Sequence, residues 1–108
     1  MVSERSLRRA ADFERVRSRG RRTSRDGLTL FVLHREDDRP ARVGLAVGRR
    51  CGRAVVRNRI KRRLRAAVAA ASPSTGIDIV AQARPEAGQA SFQELVEAVA
   101  TGLRRADR

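Results

Sequence analysis

Between Leu28 and Leu33 the chain alternates, with Leu28, Leu30 and Val32 on one side and Thr29, Phe31 and Leu33 on the other, which is the period of a strand. A second alternation runs from Arg42 to Gly48 and sets Val43, Leu45 and Val47 on one face. Its other face carries Gly44, Ala46 and Gly48, small enough to let another backbone come close. The polar turn Glu36-Asp37-Asp38-Arg39-Pro40 separates the two segments, so they are predicted to pair as an antiparallel hairpin. Ile77 to Ala83 is a third strand, with Ile77, Ile79, Ala81 and Ala83 in alternation and Arg84-Pro85 closing it.

The helical period appears in three other places. A short first helix takes Asp12 as N-cap and Gly20 as terminator, with Phe13 and Val16 on one face. A long central helix is predicted from about Arg53 to Ala71, ended by Ser72-Pro73-Ser74-Thr75-Gly76, with Gly52 serving the tight turn into it. The last helix opens on the capping box Ser91-Phe92-Gln93-Glu94, and Phe92, Leu95, Val96, Val99 and Leu103 form an apolar stripe best explained as core. The predicted order is α-β-β-α-β-α, an α/β (α+β) two-layer α-β sandwich on one sheet, with residues 1–108 as a single domain.

Composition adds a partner class. Hydrophobic residues make up 41% of the chain, too many for a disordered basic tail, while aromatics make up 3%, leaving the core to Val, Leu, Ile and Ala. The net charge is +13, a field that draws polyanions. Between Arg39 and Ile77 there are eleven basic residues and no acidic one; the remainder holds 14 basic and 12 acidic residues, a surplus of only 2. The excess therefore belongs to one surface. Lys61 is the only lysine, and a GC-rich codon bias accounts for most of the arginine preference, though not for the clustering.

At about 100° per residue, Val56, Ile60, Leu64, Ala67, Val68 and Ala71 share one arc of the central helix, the face that docks on the sheet. Asn58, Lys61, Arg62 and Arg65 form a polar stripe at i, i+3, i+4 and i+7 beside it. Arg59 and Arg63 lie on the opposite flank, with Arg53 and Arg57 near the N-terminal end. A solvated charged face is the ordinary explanation of helix charges, but such faces mix signs to gain i,i+4 pairs. Here like charges crowd one another, which points to anion binding. Asn58 can donate and accept at once, suiting a sugar hydroxyl or base edge; a local backbone hydrogen bond explains it equally well.

No catalytic constellation is visible. His34 is the only histidine, at a strand end without a His or Cys partner in motif spacing, and Asp37 and Asp38 read as a solvated turn. Cys51 is alone and reads as a structural thiol, so no disulfide framework or multi-cysteine metal site is expected. The glycines at 44, 48 and 52 fit neither a dinucleotide fingerprint nor a P-loop. The N-terminus has no apolar signal region and no apolar run reaches a membrane span, which predicts a soluble cytoplasmic protein. These residues alone describe an RNA binder that leaves chemistry to something else.

The stretch Val43-Gly44-Leu45-Ala46-Val47 followed by Arg49-Arg50-Cys51-Gly52-Arg53-Ala54-Val55-Val56-Arg57-Asn58-Arg59-Ile60-Lys61-Arg62 resembles the protein subunit of bacterial ribonuclease P. The likeness extends to Asp12-Phe13 with Val16 and Gly20, to the strand Leu28 to Val32, and to Asp78-Ile79-Val80 through Arg84-Pro85, and so covers nearly the whole chain. The resemblance implies a ribosomal-protein-like fold with a left-handed parallel βαβ crossover, against the usual right-handed rule. It implies two partners, a large catalytic RNA and precursor tRNA, with no membrane and no DNA. It further implies cleavage of the tRNA 5′ leader by metal-assisted hydrolysis on Mg²⁺ held mainly by the RNA, with no protein catalytic residue.

By the same likeness, Arg57, Asn58, Arg59, Lys61, Arg62 and Arg65, with Arg49, Arg50 and Arg53, face the catalytic RNA. Phe13 and Phe31 match aromatic positions of the cleft that holds the single-stranded leader, although ordinary core packing explains them as well. Arg17 stands where the family often has a second aromatic, which shifts leader binding from stacking toward phosphate contact. Arg49-Arg50 replaces a pair that is frequently lysine, and Ala66 stands where an acidic or amide residue is common. The rival reading is a non-catalytic ribosomal or RNA-assembly protein. A DNA-binding role lacks a recognition-helix pair, and a membrane-surface role would need the apolar arc that the core already requires.

Overall fold

The strand Ile77–Ala83 (β5) sets Ile77, Ile79, Ala81 and Ala83 on one side and Asp78, Val80 and Gln82 on the other, and the fold covers both sides, leaving only Gln82 half-buried. The computed structural model describes residues 4–107, and in it β5 is the middle of a five-stranded sheet. The other strands are β1 (Glu4–Ser6), β2 (Arg21–Arg25), β3 (Leu28–His34) and β4 (Ala41–Val47), in spatial order β1-β4-β5-β3-β2. The helices are α1 (Ala10–Arg19), α2 (Ala54–Ala71) and α3 (Phe92–Ala106).

The predicted class and the order of the six anticipated elements are observed, with two edge strands added. The hairpin between β3 and β4 is not. β5 lies between them, antiparallel to β3 and parallel to β4. Six of its seven residues are buried, Asp78 among them, and β5 obtains cover on both faces and a neighbour on both edges only in the centre. The actual hairpin joins β2 to β3 through Asp26 and Gly27, at φ 53° and 81°. That left-handed pair suits a two-residue turn, and a side chain at Gly27 would strike the Ala87 backbone nitrogen at 2.3 Å. β4, α2 and β5 form the parallel βαβ crossover unit.

One sheet face, with Leu28, Leu30, Val32, Val47, Ile77, Ile79 and Ala81, packs against Ile60, Leu64 and Val68 of α2 and Leu95 and Val99 of α3. Each such aliphatic side chain contributes roughly 1.5–3 kcal/mol on burial. Ser91 accepts from the Glu94 backbone N–H at 3.0 Å and donates its own backbone N–H to the Glu94 carboxylate at 2.8 Å, completing the capping box. Phe92 departs from the expected stripe, since it stands 43% exposed at the first turn while Leu95 and Val99 are buried.

The opposite sheet face holds a smaller cluster of Leu7, Val16 and Val80, against which Phe13, Phe31 and Leu33 pack. α1 begins at Ala10 with Arg9 as its N-cap, so Asp12 is not the cap. Asp12 sits in the first turn instead, paired with Arg15 at 2.9 Å. The small face of β4 admits a ring rather than a backbone: a Cβ on Gly44 would meet Phe13 Cζ at 2.5 Å.

The charged end of this face is closed around Asp78, which is fully buried. Arg42 grips it with two bonds, Nε to Oδ1 at 2.8 Å and Nη2 to Oδ2 at 2.7 Å. Arg35 donates Nη1 to Oδ1 at 2.6 Å, and Arg15 donates Nη2 to Oδ2 at 3.1 Å. Burial pushes the Asp78 carboxyl up, but the bonds from Arg42 and Arg35 outweigh it and hold the group below the usual carboxylate range. Asp37 is not a free turn residue: its hydrogen bonds from Arg35 and from the Arg39 backbone N–H lower its pKa as well.

Candidate nucleic-acid interface

α2 starts where Gly52, at φ 129°, turns the chain out of the short 3-10 segment Arg49–Cys51, and Arg53 is its N-cap. Ile60, Leu64, Ala67 and Val68 are buried and Val56 and Ala71 partly so, which spends the apolar arc on the core. What faces outward is therefore the rest of the cylinder. Asn58, Arg59, Arg62 and Arg65 are exposed and Arg57 and Lys61 half-buried; Arg49, Arg50 and Arg53 are exposed at the N-terminal approach.

None of these nine residues makes a side-chain hydrogen bond or ion pair within the described residues, although ion pairs are common elsewhere in the chain. Asn58 is thus not spent on a local backbone bond. Arg57 Nε is buried and unpaired, an arrangement that costs free energy until an acceptor arrives. Val55 stands 77% exposed on the same helix. Arg63 differs from its neighbours, because its Nη2 donates to Ala90 O at 2.6 Å and ties α2 to the approach of α3.

On the other sheet face, Phe31 and Gly44 flank Val80 in one register row, and the Phe13 ring lies over Gly44. Both Phe13 and Phe31 are half-buried, serving the small cluster while keeping part of each ring accessible. Arg17 stacks its guanidinium on Phe13 at 5.8 Å from the ring centre. Arg17 and Arg50 then line one recess together with Gln82 and Arg84, two residues that sequence reasoning had passed over. The period of β5 places Gln82 on the same face as Val80, and that was the available signal.

The remaining candidates are structural. Cys51 is half-buried with Sγ 3.5 Å from Ala83 O, and His34 Nε2 lies 2.6 Å from Ala106 O. Among the described residues no group of three or more His, Cys, Asp or Glu is placed to hold a metal, and α2 offers Mg²⁺ no carboxylate. No helix of the described residues is long and apolar enough to cross a membrane.

The sequence model of the family Ribonuclease P matches residues 1–107. The ribonuclease P protein component of Gluconacetobacter diazotrophicus is 42% identical over 103 residues, covering 93% of this chain and 89% of its own. That of Acidothermus cellulolyticus is 47% identical over 92 residues, covering 82% and 77%. Among solved structures, the Staphylococcus aureus RNase P protein superposes with a TM-score of 0.78 at 26% identity, covering 94% of each chain. The Thermotoga maritima RNase P protein shares the fold at a TM-score of 0.79 and 24% identity, over 95% of this chain and 98% of that one. The chain belongs to the ribonuclease P family, in which these relatives are the protein component.

Proposed function

We propose that this protein binds the catalytic RNA of ribonuclease P through α2 and holds the 5′ leader of precursor tRNA on the Phe13–Phe31 face. In this way it promotes endonucleolytic removal of the leader to give mature tRNA 5′ ends. The observation that carries the reading is the uncompensated cation surface of α2. Arg57, Arg59, Lys61, Arg62 and Arg65 have no carboxylate partner among the described residues, and Arg57 Nε is buried without an acceptor. A polyphosphate backbone supplies acceptors at each of these positions, and Asn58 among them suits a ribose hydroxyl or base edge.

The protein's part is to position RNA. Mg²⁺, which supplies the activated water and stabilises the leaving oxygen in such hydrolysis, belongs in this reading to the partner RNA. The protein's cations relieve repulsion between two RNA molecules brought together, and the half-buried rings offer stacking surface to unpaired bases. The reading places the protein with its RNA in the cytoplasm.

The test is reconstitution. Purified protein added to ribonuclease P RNA and precursor tRNA at low Mg²⁺ is expected to enhance accurate 5′ cleavage. Binding of the RNA without any enhancement would overturn the enzyme-subunit reading and favour a non-catalytic ribosomal or assembly role.

A further inference from the structure

Outside the acid-free stretch from Arg39 to Ile77 the chain is nearly neutral, but its 14 basic residues there are not evenly spread. Arg15, Arg17, Arg19, Arg21, Arg22 and Arg25 fall in a run without an acid. Taking these six from the 14 leaves 8 basic against 12 acidic residues, so a second positive surface stands apart from α2. Arg15 is spent on Asp78 and Arg17 on Phe13. The arginines of β2 are not accounted for in this way.

β2 alternates, and the side that carries Arg21, Thr23 and Arg25 is the side covered by α3. Gly102 lets the helix come down on it: a Cβ there would meet Leu30 Cδ2 at 2.4 Å and Thr23 Oγ1 at 2.8 Å. This close approach sets Thr101 beside the edge strand. Arg25 Nη1 donates to Thr101 Oγ1 at 3.1 Å, and Arg104 Nη2 donates to the same oxygen at 3.2 Å. Two guanidiniums from distant parts of the chain are thus drawn to one neutral atom. The carboxylate one turn back on α3, Glu97, accepts from Gln93 at 3.1 Å, and Asp26 lies a loose 3.4 Å from Arg25 Nε. Like charges held this close repel unless an anion joins them. Arginines on an exposed edge serve to keep other strands from pairing with it. That accounts for Arg21, Arg22 and Arg25, but not for Arg104, which a helix brings to the same point.

We propose that Arg25 and Arg104, with Arg21 beside them, clamp a backbone phosphate of the catalytic RNA, at a second contact separate from α2. α3 and α2 cover one face of the sheet, whereas Phe13 and Phe31 lie on the other. An RNA lying over α2 meets this flank by continuing across α3; a leader on the opposite face does not. Two guanidinium forks on one phosphate read its charge and shape and carry no base sequence. The inference rests on the reading of α2 as the surface for the catalytic RNA, and it extends that contact around the molecule to the β2 edge.

The experiment measures binding of the whole protein to ribonuclease P RNA over a salt series, without substrate. It compares the parent with Arg25→Gln/Arg104→Gln, Arg25→Lys/Arg104→Lys and Arg62→Gln. The glutamine pair is expected to bind about tenfold more weakly, the size of one charged hydrogen bond. Its slope of log K against log[salt] should fall by roughly 0.9, the share of one phosphate. The lysine pair keeps both point charges and should recover the slope, though not the full affinity. Denaturant midpoints of the parent and both pairs should coincide. Hydroxyl-radical footprints should show an RNA segment that the glutamine pair uncovers and Arg62→Gln leaves protected.

A lowered midpoint with an unchanged slope would make the two arginines fasteners of α3 to β2 and overturn the proposal. A full slope in the glutamine pair, with Arg62→Gln showing its own loss, would make α2 the whole interface and sink the clamp alone. If Arg62→Gln has no effect while the glutamine pair does, the α2 reading fails and the clamp stands. A parent without affinity for the RNA sinks both. A loss seen only when the holoenzyme binds precursor tRNA would assign the clamp to the substrate and overturn the choice of partner.

Discussion

Around Asp78, guanidiniums from α1, from β4 and from the residue after β3 converge on one buried carboxylate; along α2, Arg57, Arg59, Lys61, Arg62 and Arg65 share none among the described residues. The residue type is nearly the same in both places. What differs is whether the chain supplies the anion. Where it does, arginine behaves as a fastener: Arg35 alone binds Asp78, Asp37 and the carbonyls of Ile77, Arg39 and Pro40. Where it does not, the positive field stays available to a partner. Net charge alone does not separate these cases, since Arg42 lies inside the acid-free stretch and is nevertheless neutralised by an aspartate beyond it.

The largest effect expected from this contrast is on stability. Asp78→Ala should cost about 3 kcal/mol or more, because it strands Arg35 and Arg42 against a buried site. Denaturant midpoints report it directly. The sign with pH follows from the lowered carboxyl. Stability from Asp78 is fully present above the unfolded carboxylate range near about 3.9, and is lost as pH falls through the lower folded value. Asp78→Asn should therefore be destabilised at neutral pH and show a flatter acid limb than the parent. An unchanged acid limb would mean that other carboxylates govern acid unfolding.

Adjacent residues on α2 sharpen the contrast. Arg62→Gln should leave the midpoint within about 0.5 kcal/mol, as surface changes do. It should lower affinity for ribonuclease P RNA and reduce the slope of log K against log[salt] by roughly 0.9 on duplex contacts. Arg63→Ala should do the reverse, costing about 1 kcal/mol through loss of the bond to Ala90 O while leaving the salt slope unaltered. Equal salt slopes for the two variants would show that the helix face does not sort its arginines this way.

Much of this was legible because it is periodic. β5, α2 and the α3 capping box follow from residue spacing alone, and their observed bounds match it to within a residue. β2 was not legible, since Arg21-Arg22-Thr23-Ser24-Arg25 is an edge strand with no buried residue to impose alternation. The mistaken hairpin had a different cause. β3 and β4 bury the same faces whether they pair with each other or with β5, so alternation is silent on the choice. Asp78 and Gln82 give β5 the alternation of a half-exposed strand, so its burial on both faces was hidden until the arginines that neutralise Asp78 were in place. The six candidates on α2 come out exposed or half-buried, without side-chain partners among the described residues, in keeping with their helical positions, whereas Arg49, Arg50 and Arg53 are exposed ahead of the helix, where no helical period applies. The recess at Arg84 needed three separated segments to meet, which no local pattern encodes.

The smallest expected effect concerns self-repulsion on α2. If its like charges destabilise the folded protein, an anion that bridges them should raise Tm beyond a chloride control at matched ionic strength. Ten-fold saturation of one such site contributes about 1.4 kcal/mol, several degrees for a domain of this size. Sulfate also stabilises proteins generally by exclusion from their surfaces, so a rise in Tm does not decide the matter. The deciding quantity is the difference between the parent and an Arg59→Gln/Arg62→Gln variant. Exclusion acts on both alike, whereas bridging needs the cations. The sulfate surplus should therefore shrink in the variant, and it should persist in Arg35→Gln, whose guanidinium already has its carboxylates. A surplus of equal size in all three proteins would place the limit on stability elsewhere than α2.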